Sequence, residues 1–381
     1  MARRDRHRAG PTSRRPRAGL HAMLRRLAIA AATILIAGSA VVDATAVVQL
    51  TARPGYATWQ DRASTTLTAV GLGPALDRFE NWLYTRSEPP DTAVDPNSIL
   101  TSTHGSPSAA TQPEPQLPPL LHTADNGGWH PVTRIAGEPP LVYTAVIQPD
   151  PKHRGVAVGV ALIAATATQS HLVPGTVQPV QSNYSGQIPA SDLPRVVAAF
   201  NSGFKMSDYS GGFFVDGTTV RPLIDGKASA VIDGAGHLTV GQWGRDVRMD
   251  SYIRAVRQNL TLIVDHGLVV SGLDRNPDGS WGTVRNELQY TWRSALGVTR
   301  TGDTVYVAGD KLNLVTLAAA LQQAGAVTGM ELDIHSGMQF FSTWTSAASG
   351  APQPQRLMTA MVGPPDRYLQ PDQRDFFYVT V

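Results

Sequence analysis

The chain has 381 residues, and because 42% of them are hydrophobic and only 16% are charged, disorder of the whole chain is excluded. It contains no cysteine, which excludes disulfide bonds, thiolate zinc sites and a cysteine nucleophile. The formal net charge of +2 is unevenly spread, since residues 1–26 contain nine arginines and a single acidic residue. The rest of the chain is therefore acidic on balance.

An apolar run follows this basic segment, from residue 27 to residue 50, and only Asp43 places a charge in it. A helix needs about 20 mostly apolar residues to span a bilayer, so the run predicts a transmembrane anchor. A signal segment is the alternative, cleaved after Ala46 at the end of a small-residue sequence.

The basic residues 1–26 directly precede the run, and by the positive-inside rule they are expected to form a cytoplasmic tail. The chain after residue 50 is then expected outside the cytoplasm. It is either anchored in the membrane through residues 27–50 or secreted if cleaved after Ala46. Because the basic tail adjoins an apolar run, we expect no nucleic-acid partner.

Two regions of different composition precede the folded domain. Residues 51–86 mix aromatic and aliphatic side chains with polar ones, which predicts a juxtamembrane amphipathic helix region. Residues 87–119 are rich in Pro, Ser and Thr, and predict a disordered, semi-extended linker. The domain itself is expected over residues 120–381.

Short strand-like runs separated by turn residues dominate residues 120–381. Asp216-Gly217 is a strong hairpin signal, and similar glycine-containing turns separate the later pairs of runs. One helix is predicted over residues 314–324, capped by Asn313 and stopped by Gly325. We therefore predict an α+β domain with a mixed, hairpin-rich β-sheet core and few helices.

Acidic residues alternate with apolar ones in the segment after this helix. On a strand, alternation places Glu331, Asp333 and His335 on one face, with neighbours about 6.5–7 Å apart. Two carboxylates at that separation suit acid/base chemistry around a sugar. A solvent-facing strand side and a divalent metal site are the alternatives. No further ligand cluster lies nearby, so we favour no metal and no other cofactor.

Two other segments carry groups that suit an anion. Asn201 ends an apolar run and is followed by Gly203 and Lys205, so exposed backbone amides and a cation are expected together. Arg293 precedes a later strand and has a planar guanidinium that can clamp a phosphate. A structural hairpin corner and a surface ion pair, respectively, are the alternative explanations.

These segments, in this order, resemble the phosphodiester glycosidase family over roughly residues 140–345. Its asparagine–glycine–phenylalanine motif matches Asn201, Gly203 and Phe204. Its arginine–small–alanine–hydrophobic–glycine motif begins at Arg293, and its leucine–aspartate strand ends at Asp333. The sequence departs from the family where Ile334 and His335 replace glycines and where Lys205 replaces an aromatic residue.

The resemblance implies an extracytoplasmic hydrolase that cleaves a glycosyl phosphodiester, a sugar-1-phosphate linkage, in envelope glycans. Asp333 is expected to act as general base or nucleophile, assisted by Glu331 or His335. The expected substrate-binding residues are Asn201, Gly203, Phe204, Lys205, Arg293, Ser336 and Gly337. The altered glycine run leaves open a non-catalytic glycan-binding protein that uses the same cleft. A metal-dependent hydrolase that uses the three polar residues of the strand is a third hypothesis.

Overall fold

The computed structural model describes residues 53–92, 98–101, 117–120, 128–181, 183–282, 288–347 and 350–381. The predicted basic tail and the apolar run of residues 27–50 lie outside these ranges, so the predicted membrane segment does too. Among the described helices, none combines the length and the apolar composition needed to cross a bilayer.

Three helices lie in the described parts of the chain. Helices α1 and α2 fall within the predicted amphipathic region, and α3 is the helix predicted before the acidic strand. Their bounds are Trp59–Ala69 for α1, Gly73–Thr85 for α2 and Leu314–Gln323 for α3. The predicted cap of α3 is confirmed, because the Asn313 side chain accepts a hydrogen bond of 2.9 Å from the amide of Thr316.

The largest sheet has eight strands in the order β1-β2-β3-β14-β13-β15-β11-β12. The bounds of these strands in that order are His130–Val132, Val142–Ile147, Val158–Ile163, Thr304–Leu312, Thr291–Thr299, Ala326–Ile334, Leu262–Asp265 and Leu268–Val269. Helix α3 connects β14 to β15, which lie on either side of β13.

Two five-stranded sheets complete the described β structure. The hairpin sheet has the order β7-β6-β10-β8-β9, with bounds Thr218–Arg221, Phe213–Val215, Ile253–Gln258, Ala228–Asp233 and Leu238–Gln242. The C-terminal sheet has the order β17-β16-β5-β18-β4, with bounds Pro352–Arg356, Phe341–Ser346, Val196–Asn201, Phe376–Thr380 and Gln169–Val173.

The prediction of an α+β fold is confirmed, but the prediction of a mixed sheet is wrong. Every pairing between these strands is antiparallel, as in the β13–β14 and β13–β15 pairs. The physical reason is the connections: tight turns such as Asp216-Gly217, where both residues have positive φ, can join only antiparallel neighbours. The α3 crossover joins two strands that do not pair with each other.

All three sheets contribute to one apolar core. Phe200 and Phe377 of the C-terminal sheet, Val240 of the hairpin sheet and Leu296 of the eight-stranded sheet belong to the same buried cluster. The other face of the eight-stranded sheet packs on α3 through residues such as Leu317. Burying both faces of this sheet explains why its central strands read as continuous apolar runs.

Parts of the predicted linker also pack on the domain. Leu100 is buried and forms a bridge to Met358, and the carbonyl of Ser87 accepts a hydrogen bond of 3.0 Å from Lys311. These described residues of the 87–119 segment are therefore held by the domain rather than extended away from it.

Candidate active site

Asp333 lies one residue before the end of β15, and the residue is only 7% exposed. One carboxylate oxygen accepts a hydrogen bond from Arg374, and the other accepts the amide of Ile334 at 2.9 Å. Burial raises the pKa of Asp333 to about 6, although the neighbouring Arg374 guanidinium acts to lower it. The carboxyl is therefore largely ionised at neutral pH.

Arg374 links this carboxylate to two other parts of the chain. Besides Asp333, its guanidinium donates to the carbonyl of Gly203 at 3.0 Å and lies 3.4 Å from the carboxylate of Asp61. Arg374 precedes β18, which pairs with β5, and β5 leads into the Gly203 loop. The sheet therefore brings this arginine beside a loop that is far from it in sequence.

A second cation, Lys205, belongs to the same loop as Gly203. Its ammonium group is 2.6 Å from the carboxylate of Asp61 and donates to the hydroxyl of Thr65 at 2.9 Å. Burial acts to raise the pKa of Asp61, but Arg374 and Lys205 lower it more, so the net shift is downward. Asp61, Lys205, Arg374 and Asp333 thus form a buried cluster of alternating charge, which we call the charge cluster.

A cavity of about 260 Å³ opens beside the charge cluster, between α1 and the loop that carries Lys205. Its lining residues are mostly polar and include Arg53, Asp61, Thr65, Thr68, Lys205 and Arg374. A larger and more open cavity of about 580 Å³ lies over the hairpin sheet beside Tyr252, and no member of the charge cluster lines it. We place the candidate site at the smaller cavity, because only that one contacts buried ionisable groups.

Asn201 holds the backbone around the cluster and is itself buried. Its side-chain oxygen accepts from the hydroxyl of Tyr306 at 2.8 Å and from the amide of Phe340 at 3.0 Å. Its side-chain nitrogen donates to the hydroxyl of Ser294 at 3.1 Å, and that hydroxyl donates to the carbonyl of Asp333. The nitrogen also donates to the carbonyl of Ser202, so this amide makes four hydrogen bonds within the protein. The structure places Asn201 as a support for Asp333.

The loop after Asn201 presents carbonyl groups to the nearby guanidinium groups. The carbonyl of Gly203 accepts from Arg374, and that of Phe204 accepts from Arg257 at 2.6 Å. The amide of Phe204 donates to the side-chain oxygen of Asn259 at 3.3 Å, so this amide already has a partner within the protein. A side chain at position 203 would approach the same asparagine to 2.9 Å, which explains the glycine. The predicted contact of these amides with a phosphate stays a prediction.

Arg293 and Glu331 form a separate buried pair. Their side chains are each 1% exposed and approach to 2.6 Å, and Arg293 also donates to the carbonyl of Leu312. The pairing of β15 with β13 shifts register between the Arg293–Ile334 pair and the Ala295–Glu331 pair, and Asp333 lies inside this irregularity. The predicted alternation therefore does not bring Glu331 and Asp333 to the same partners. The predicted roles of Arg293 and Glu331 in the reaction stay predictions.

His335 follows β15 with a φ of +73° and contacts α2. Its ring stacks on Tyr84 with 5.3 Å between centroids, and its Nε2 atom lies 3.6 Å from the carboxyl of Glu80. Burial lowers the pKa of His335 to about 3, whereas burial and then Asp77 raise the pKa of Glu80 to about 7. The imidazole is therefore neutral at pH 7, and this contact is not an ion pair.

Ser336 and Gly337 form the turn after His335, and this turn packs against the N-terminus of α1. Gly337 has a φ of +91°, and a side chain there would approach Gln60 to 2.9 Å. The turn is therefore close to the charge cluster but covered by α1. Whether these two residues bind substrate stays a prediction.

The sequence provided no motif for two members of the charge cluster, Arg374 and Asp61. The one local signal for Arg374 is that a charged pair, Arg374-Asp375, directly precedes an apolar strand. Asp61 has no such signal, because its partners lie far away in the sequence. Among the described residues, no group of three or more His, Cys, Asp or Glu side chains has the arrangement needed to hold a metal ion.

Comparisons with known proteins agree with the motifs. A family model described as phosphodiester glycosidase matches residues 194–333, which confirms the resemblance found in the sequence. No curated protein is significantly similar to the chain in sequence.

Three solved structures are similar to the chain at low sequence identity. The catalytic domain of zebrafish N-acetylglucosamine-1-phosphodiester alpha-N-acetylglucosaminidase, auto-inhibited by its pro-peptide, is 15% identical over 66% of this chain and 87% of its own, with a TM-score of 0.42. A hypothetical protein from Synechocystis is 14% identical over 65% and 64% of the two chains, with a TM-score of 0.37. A putative exported protein from Burkholderia pseudomallei is 12% identical over 65% and 75%, with a TM-score of 0.32.

Proposed function

Because residues 194–333 match the phosphodiester glycosidase family, we propose that this protein is a hydrolase that cleaves the bond between a sugar and a phosphodiester. The observation that carries the proposal is the charge cluster: burial raises the pKa of Asp333 to about 6, Asp333 contacts Arg374, and Arg374 and Lys205 line a polar cavity. An ionised carboxylate and an anion-binding group are the two elements that such a reaction needs.

Asp333 supplies the electron pair in this proposal. As a nucleophile, its carboxylate forms a bond to the anomeric carbon while the bond from that carbon to the phosphate oxygen breaks, and water later releases the sugar. As a general base, it instead takes a proton from the water that attacks the same carbon. In both routes the bonding electrons leave with the phosphate oxygen, which is a good leaving group.

Lys205 and Arg374 are the phosphate ligands in this proposal. Arg374 contacts Asp333, Lys205 shares Asp61 with Arg374, and both cations line the cavity, so their charges can stabilise the negative charge that develops on the departing oxygen. The earlier candidate for this role, Arg293, is held by Glu331 at 2.6 Å in the structure, and this contact favours Lys205 and Arg374 instead.

The location proposed for this activity is the cell envelope. The basic tail and the apolar run of residues 27–50 support a protein that is anchored in the membrane with its domain outside the cytoplasm. A glycan of the envelope is then the substrate that the domain can reach. Cleavage after Ala46 gives a secreted protein with the same substrate.

One observation favours a second candidate function, glycan binding without catalysis. Asp61 already forms ion pairs with Lys205 and Arg374, and Ile334 and His335 stand where the family has glycines. A cleft altered in this way could hold a phosphoglycan without hydrolysing it. The metal-dependent hypothesis has less support, because the carboxylate of Glu331 contacts Arg293 at 2.6 Å.

The test is turnover of a glycosyl-1-phosphate methyl ester by the full-length protein and its Asp333→Asn variant. We expect release of free sugar by the natural protein and a loss of at least about 1,000-fold in the variant, equivalent to about 4 kcal/mol of barrier. Asp265→Asn is the matched control, because Asp265 forms a surface pair with Arg245 away from the cluster.

Equal turnover by both variants removes Asp333 from the mechanism. Saturable binding of the ester without any product from the natural protein instead supports the glycan-binding function. Calorimetry on the same three proteins separates these outcomes, because it measures binding whether or not the ester is cleaved.

A further inference from the structure

Helix α2 turns its polar side toward the domain. Glu80 approaches His335, Asn81 accepts a hydrogen bond of 2.5 Å from Gln289, and Tyr84 stacks on the same histidine. These three side chains are spaced one helical turn or less apart, so they define the inward face of the helix. An ordinary surface helix does the opposite and packs its apolar side on the core.

The outward side of α2 carries large apolar side chains. Phe79, Trp82 and Leu83 are 41%, 54% and 36% exposed, and they are spaced by three and four residues on one face. The rings of Phe79 and Trp82 stack with 6.2 Å between centroids, and the guanidinium of Arg86 lies 5.2 Å from the centre of the Trp82 ring. Arg78 is also exposed on this side. We call these five residues the aromatic face.

Leaving such a face in water is unfavourable, because the free-energy cost grows with the apolar area that stays exposed. The inward contacts fix its orientation, because Glu80 and Tyr84 hold His335 while Asn81 holds Gln289. The aromatic face is therefore a fixed feature of the domain surface and needs a partner outside the described residues.

The sequence indicates which partner this is. The apolar run of residues 27–50 ends shortly before Trp59, where α1 begins, and α1 and α2 are the first helices after it. A chain anchored through that run keeps these helices close to the membrane surface. Tryptophan and phenylalanine favour the boundary between headgroups and acyl chains, and arginine binds lipid phosphates there.

We propose that the aromatic face of α2 docks on the surface of a phospholipid bilayer, with Phe79, Trp82 and Leu83 among the upper acyl chains and Arg78 and Arg86 at the phosphates. Docking adds a second attachment beside the anchor and sets the orientation of the domain on the membrane. Because α2 contacts His335, it also fixes the charge cluster near the bilayer surface. The proposal does not depend on the reaction proposed above.

The absence of cysteine from the chain permits a direct test with single labels. Leu83→Cys is labelled with an environment-sensitive fluorophore, and the full-length protein is reconstituted in vesicles of phosphatidylcholine and phosphatidylglycerol. We expect lipids brominated on the upper acyl chain to quench this label at least threefold more than the same label at Ser251→Cys. Ser251 is the matched control, because it is exposed in the turn just before β10 of the hairpin sheet.

A second variant, Trp82→Ser, is combined with the label at position 83. We expect lipid quenching of that label to fall to the level of the Ser251 control, because the face loses its largest apolar group. Equal lipid quenching at positions 83 and 251 in the natural background overturns the proposal. A second result also overturns it: the label at position 83 is shielded from aqueous iodide but is not quenched by lipid. In that case the shielding also disappears when the protein is diluted among vesicles. That result identifies a second copy of the chain as the partner.

Discussion

The carboxyl of Asp333 is subject to two opposing effects. Burial favours its neutral form, while Arg374 and, more weakly, Lys205 favour its charged form, and the balance leaves its pKa at about 6. A carboxylate with this pKa is ionised at neutral pH yet keeps more basicity than one in water. That is the property a general base or nucleophile needs near pH 7.

This pKa predicts how activity depends on pH. We expect kcat/KM for the phosphodiester to rise about tenfold per pH unit below pH 6 and to level off above it, because only the ionised carboxylate reacts. In the Lys205→Met variant the midpoint of this pH profile moves to higher pH, since a cation that lowers the pKa of Asp333 is lost. Arg245→Met is the control and leaves the midpoint in place. A midpoint that is the same in all three proteins contradicts the assignment to Asp333.

The raised pKa of Asp333 favours activity at neutral pH but lowers the folding stability there. The folded state holds the proton of Asp333 up to about pH 6, whereas a free aspartate has a pKa of 3.8. The folded state thus binds more protons between these values, and the contribution of this group to folding stability falls as the pH rises through that window. The protein therefore gives up stability at the residue that we expect to react.

At the scale of elements, α1 is the part of the chain that completes the charge cluster. Its first turn carries Asp61, which approaches Lys205 to 2.6 Å, and its second turn carries Thr65, which accepts from the same lysine. A phosphate bound between Lys205 and Arg374 competes with this carboxylate for the same two cations. Helix α1 therefore controls how much positive charge the cavity offers to a substrate.

Asp61→Asn tests this competition. We expect the KM for the phosphodiester to fall about tenfold, equivalent to about 1.4 kcal/mol, because both cations lose a competing anion while the shape of the side chain is kept. Steady-state kinetics measure the change, and Asp77→Asn, an exposed position on α2, is the matched control. A KM that rises instead shows that Asp61 helps to bind substrate.

At the scale of the whole molecule, the site depends on how two sheets meet. Asn201 ends β5 of the C-terminal sheet, while its partners Tyr306 and Ser294 belong to β14 and β13 of the eight-stranded sheet. The amide thus fastens the two sheets together directly beneath Asp333. A change in the docking of the sheets would move the aspartate relative to Arg374.

Asn201→Ala is expected to lower the free energy of unfolding by about 3 kcal/mol, because the hydroxyl of Tyr306 and the amide of Phe340 lose a buried acceptor. Urea unfolding of the full-length protein measures the loss. Asn183→Ala, at an exposed position, is the control and should change stability by less than about 0.5 kcal/mol. A loss below that value for Asn201→Ala shows that the sheets are held together by apolar contacts alone.

Much of the local structure followed from the sequence. The Asp216-Gly217 turn joins β6 and β7 as predicted, and α3 begins after Asn313 as predicted, because turn and cap preferences act over a few residues. The family motifs around Asn201 and Asp333 also identified two segments that the structure brings together. Predictions that relied on regular alternation were less successful, since a single register shift separates Glu331 from Asp333.

The sequence by itself determined the antiparallel hairpins, the single capped helix of the domain and the candidate aspartate, all of which depend on residues close together in the chain. Only the tertiary structure decided that Arg374 and Asp61, rather than Arg293, accompany that aspartate. Ion pairs act over a few ångströms in space and leave no periodic pattern in the sequence. Their partners become neighbours only after β18 pairs with β5 and α1 packs against the loop that carries Lys205.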